Sequence, residues 1–104
     1  MPYIISHCWY SASKSEEVGK KYLEVLKKYP PDQSLEKVVV PAAVGATKDG
    51  LETLIIAEVE RAKAGDALNR AVNMMFEFRN IEGFTYEVKA WSTAEEALER
   101  IGLG

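Results

Sequence analysis

The feature that most restricts this chain is a change of hydrophobic rhythm that occurs twice in the same order. Residues 4–10 read as an apolar strand, residues 15–29 carry apolar side chains at helical spacing, and residues 37–46 return to a strand; residues 51–60, 63–80 and 84–91 repeat that succession. A strand can bury alternate side chains and a helix one stripe, so two such units support each other when both helices lie on one face of a shared sheet. The prediction is an α+β sandwich with one helix-covered face and one open face.

Local signals fix the ends of these elements. Ser13 with Glu16 three residues on has the spacing of a capping box, and Val18, Tyr22, Leu26 and Tyr29 form the predicted buried stripe of the first helix. Lys20, Lys21, Glu24, Lys27 and Lys28 cover its wet side, and Pro30-Pro31 stops it because neither ring can donate a backbone hydrogen bond. Thr47-Lys48-Asp49-Gly50 predicts a hairpin between the second and third strands. The second helix should bury Ala64, Leu68, Ala71, Met75 and Phe78, with Ala67, Val72 and Phe76 widening the stripe. Thr93 and Glu96 predict a capping box for a short third helix, with Ala97, Leu98 and Ile101 as its packing face and Gly102 as its stop. Right-handed crossovers in both units give an antiparallel sheet of order 4-1-3-2. That order puts the second strand at an edge, where Pro41 can be tolerated. These expectations describe a ferredoxin-like βαββαβ sandwich with an extra C-terminal helix, a single domain over residues 1–104.

Composition removes several classes of function. A net charge of −3, with acidic and basic residues interleaved, offers no positive field for a phosphate backbone, so nucleic acid is not an expected partner. The lone Cys8 excludes an intramolecular disulfide and suits a reducing compartment, which makes cytoplasmic the expected location. The apolar run from Val38 to Ala46 is broken by Pro41 and is far shorter than the roughly 18 residues a membrane span requires. No membrane partner and no export signal are expected.

The open face carries what functional information there is. In the first strand Tyr3, Ile5, His7 and Trp9 share a phase opposite the smaller set Ile4, Ser6, Cys8 and Tyr10, and the bulkier set is assigned to the open side. Glu52, Leu54, Ile56, Glu58 and Glu60 from the third strand, and Thr85, Glu87, Lys89 and Trp91 from the fourth, join it. Ile5, Trp9, Leu54, Ile56 and Trp91 would form an apolar patch larger than a soluble monomer usually leaves uncovered, and a second copy on a two-fold axis is the simplest cover. On this element order, the Thr47–Gly50 hairpin and the closing segment 84–101, the chain resembles the dimeric α+β barrel superfamily. The resemblance implies two sheets packed face to face, often around a cavity, in proteins that range from cofactor-independent monooxygenases and isomerases to proteins with no assigned activity.

His7, the only histidine, is the natural proton acceptor if it lines an enclosed space, with Glu87 about opposite it on the fourth strand to fix the imidazole tautomer. Trp9, Leu54, Ile56 and Trp91 would form apolar walls, and Glu58 or Lys89 could orient a polar substituent of a small apolar ligand. The plainer reading makes His7 an interface residue and Glu87 part of a solvated edge. His7 and Cys8 point to opposite faces, so they do not chelate one ion, and neither a metal nor any other cofactor is expected. Cys8 reads as a buried filler and Met74, Met75, Phe76 and Phe78 as core. The third strand has no aromatics for base stacking, the loop Tyr10-Ser11-Ala12-Ser13 lacks the Cys-x-x-Cys of copper carriers, and no phosphate loop or nucleophile triad occurs. Two readings remain: a homodimeric structural or regulatory module without an active site, or a dimeric small-molecule enzyme using His7 as base.

Overall fold

A computed structural model of the chain describes all residues, Met1–Gly104. The strands β1 (Tyr3–Tyr10), β2 (Lys37–Thr47), β3 (Gly50–Glu58) and β4 (Thr85–Trp91) alternate with the helices α1 (Ser15–Lys28) and α2 (Ala64–Phe76), and α3 (Ala94–Arg100) closes the chain. All neighbouring strands are antiparallel, in the order β2-β3-β1-β4. This is the expected order read from the other edge. Pro41 lies on the edge strand β2, in a stretch where the register with β3 slips twice, so its missing N–H interrupts no central ladder.

Burial in β1 alternates without a break. Ile4, Ser6, Cys8 and Tyr10 are buried beneath the helices, and Tyr3, Ile5, His7 and Trp9 are half-buried on the other side. Beneath the helices, one core cluster joins Cys8, Tyr10, Val18, Val25, Met75, Phe78 and Ile81, and a second joins Ile4, Val59 and Ala67. Phe78 stacks on Phe84 with ring centroids 4.9 Å apart, a geometry that adds to simple area burial. Burial raises the Cys8 thiol pKa, against weaker lowering by hydrogen bonds from Thr53, as befits a filler in a dry layer.

Several local expectations are corrected. The Ser13–Glu16 capping box does not form: a 3-10 turn at Ala12–Lys14 precedes α1, and Ser13 bonds to Ser11 instead. Within α1, Val25, seven residues after the buried Val18, is buried while Leu26 is partly exposed. The stripe of α2 is narrower than expected, with Val72 and Phe76 facing outward and the Arg79 guanidinium lying 4.4 Å from the Phe76 ring. The Thr93–Glu96 capping box is present, with both reciprocal bonds. Its helix nevertheless leaves Leu98 and Ile101 exposed and buries Glu96, which accepts from Arg61.

The β2–β3 turn is held by Thr47, whose hydroxyl accepts from the Asp49 N–H and donates to the Gly50 carbonyl. Gly50 has φ of 147°, and a Cβ there would run into the Tyr10 carbonyl oxygen. A side chain is excluded at that point both by conformation and by space.

Candidate functional site

The open face is set by the pairing of its central strand. In register, Ile5 stands between Ile56 and Lys89, His7 between Leu54 and Glu87, and Trp9 between Glu52 and Thr85. The Tyr3 row, with Glu58 and Trp91, closes one end. All eight residues singled out from the sequence, His7, Trp9, Leu54, Ile56, Glu58, Glu87, Lys89 and Trp91, therefore share one side of the sheet.

The polar contacts within that face differ from the expected ones in one respect. Glu87 is opposite His7 along the backbone, yet its carboxylate lies 3.7 Å from the Lys89 ammonium, and both groups are well exposed. The imidazole turns to the other neighbouring strand, where His7 Nε2 lies 3.1 Å from Glu52 Oε2. The same oxygen accepts the Trp9 indole N–H at 3.2 Å, and the His7 and Trp9 rings are 4.1 Å apart. Direct cross-strand opposition does not pair Glu52 with His7, since Glu52 faces Trp9. Diagonal neighbours two positions along an antiparallel partner are within reach of long side chains, and Glu52 is two residues from Leu54, the residue facing His7.

This arrangement orders the proton positions. An ionised carboxylate can only accept and an indole N–H can only donate, so the hydrogen shared by His7 and Glu52 resides on Nε2. The other ring nitrogen, Nδ1, is then the basic one. Around this cluster the walls are Ile5, Leu54, Ile56 and the half-exposed Trp91, whose ring has the Lys89 ammonium 5.2 Å from its centroid. Cys8 is on the far side of the sheet. No group of three or more His, Cys, Asp or Glu side chains is placed to hold a metal ion, and no helix is long and apolar enough to cross a membrane.

Comparison with known proteins speaks to architecture. No protein-family model matches the chain, and no curated protein matches it. Among solved structures it is similar to the de novo designed protein Foldit4, with a TM-score of 0.53 and 10% sequence identity over 89% of this chain and 99% of that one. At that identity the likeness concerns the fold alone: an α+β layer of four antiparallel strands with helices on one side.

Proposed function

We propose that the protein works as a homodimer joined through the open faces of its sheets, in the manner of dimeric α+β barrels, and that it serves as a structural or regulatory module. One observation carries this reading. The chain exposes 6865 Å² to solvent, whereas a compact monomer of 11.6 kDa is expected to expose about 5,800 Å². The surplus of about 1,000 Å² is of the order of the roughly 800 Å² that each partner contributes to a stable interface. It includes Val44, Phe76 and Ile101, which lie off the open face, so it supports association in general, and the apolar residues of the open face support its place. Its shape agrees, since the shortest dimension, 19 Å, corresponds to one sheet and one helix layer with nothing on the second face. Half-buried Ile5, Trp9, Leu54 and Ile56 and the exposed Trp91 lie on that face, and its apolar centre suits a copy of itself.

Sedimentation across a dilution series tests the proposal. Native protein should run as a dimer at micromolar concentration, and Ile56→Glu as a monomer with an unchanged far-ultraviolet circular dichroism spectrum. Native protein that runs as single chains throughout would overturn it.

A second reading is favoured by the 3.1 Å contact between His7 and Glu52. Enclosed between two sheets, His7 Nδ1 would take a proton from a small, largely apolar acid while Glu52 stabilises the resulting imidazolium. Native mass spectrometry of the purified dimer should then find a co-purified small molecule that is lost in His7→Gln. An empty native dimer that keeps its full stability in His7→Gln would leave the module reading alone.

A further inference from the structure

On the other side of the sheet, between β1, β3 and the two long helices, lies a cavity of about 210 Å³. Ile4 and Ile55 from the strands and Tyr22, Ala71 and Met74 from the helices supply apolar wall. An engineered cavity of about 150 Å³ with aliphatic and aromatic walls takes up benzene, so this space suits a single ring with a small substituent.

Two polar groups give the cavity a chemical character. Ser6, only 6% exposed, reaches it from the strand side and makes no side-chain hydrogen bond within the protein. No fully enclosed polar atom lacks a partner, so the Ser6 hydroxyl remains in reach of whatever enters. Glu36 faces the same space with one oxygen bound to Arg70 at 3.3 Å, and the two side chains are 12% and 18% exposed. Arg70 is further engaged by the Pro30 carbonyl and lies 5.8 Å from the Tyr29 ring. The pair is neutral as a unit. An anion would have to displace Glu36 from Arg70, and a cation would have to displace Arg70 from Glu36, in each case leaving a half-buried charge alone. A neutral donor meets neither obstacle, because the second Glu36 oxygen has no protein partner. Burial raises the Glu36 pKa above the usual carboxylate range despite Arg70 beside it, which fits a carboxylate short of donors.

We propose that this cavity binds a small neutral ring compound carrying one hydroxyl, with the ring against Ile4, Ile55 and Met74 and the hydroxyl donating to Glu36. The site is independent of the open face and of His7. Calorimetric titration with p-cresol, toluene and p-toluate tests it. Native protein should bind p-cresol saturably, about tenfold more tightly than toluene for a hydrogen bond to a charged acceptor, and p-toluate much more weakly than either. Glu36→Gln should bring p-cresol close to toluene while improving p-toluate, since Arg70 is then free. Ala71→Leu adds three carbons to the wall and should abolish binding of both neutral probes, whereas Ser6→Val adds little more than a methyl group and should weaken both alike. Circular dichroism checks each variant, and Ala71→Met takes the place of Ala71→Leu if that variant fails to fold. The proposal is overturned if native protein binds p-cresol no better than toluene, if p-toluate binds as well as p-cresol, or if a folded, filled variant keeps its affinity.

Discussion

The two faces of the sheet use the same strands and reach different degrees of completion. Beneath the helices, Ile4, Cys8 and Tyr10 are buried in clusters that extend to Phe78 and Val59. On the other face Ile5, His7 and Trp9, which alternate with them along β1, are only half-covered. Composition separates the sides in part, since the open face mixes Leu54 and Ile56 with Glu52, Glu58, Glu87 and Lys89, while the covered phase is nearly all apolar. Ile55 under the helices is still only partly buried, as Leu54 and Ile56 are, so burial in this chain reflects both residue type and the layer above it.

Truncation on each side gives the largest contrast. Phe78→Ala should lower unfolding free energy by about 4 kcal/mol in urea titrations, independent of protein concentration. Ile56→Ala should cost about 2 kcal/mol and, on the proposed homodimer, carry a concentration dependence, because that proposal makes its surface one shared between copies. Equal, concentration-independent losses would erase the distinction between the faces.

Chemical access offers a second contrast. The buried Cys8 thiol, its pKa raised, should react with a thiol reagent only as fast as the protein opens, and immediately once unfolded. Iodide should quench Trp91 more readily in Ile56→Glu than in native protein. Rapid Cys8 labelling of folded protein would mean that the helix layer does not seal its side.

Acid should separate two carboxylates with the smallest effects. Glu96 is held below the usual carboxylate range chiefly by the Thr93 backbone N–H, with the Arg61 guanidinium helping. Its contribution to stability is therefore complete above about pH 4.5, the ordinary glutamate value, and is lost as pH falls through the lowered native value. Glu36 runs the other way. With its native pKa raised by burial, the unfolded chain releases the proton first, so stability falls as pH rises from 4.5 to the raised native value. Urea midpoints measured across this range should lose the acid-side decline in Glu96→Gln and the opposite slope in Glu36→Gln. Unaltered slopes in both variants would remove these assignments.

Much of the architecture was legible in the residues. Period-two alternation placed His7 and Trp9 on the open side and Cys8 beneath the helices, and the crossovers placed Pro41 at an edge. Features that depend on local geometry at a boundary were not. A 3-10 turn stands before α1, where Ser13 bonds Ser11 and does not cap the helix, and the buried stripe runs through Val25 in place of Leu26. The exposure of Leu98 and Ile101 could not be read from helical spacing, because spacing identifies an apolar stripe and not whether anything in the same chain meets it. The contacts of Glu52 with His7 and of Glu36 with Arg70 arise from diagonal pairing and from a loop packed on a helix. Neither has a signature in linear order.

The two register slips around Pro41 have a consequence for how large an assembly can become. A straight outer strand with free amide groups would recruit further chains side by side and grow into ribbons, whereas an irregular rim with a missing donor gives an incoming strand no continuous ladder. At the β2 rim, therefore, side-by-side growth is discouraged, and the face-to-face pairing proposed above would close after one addition.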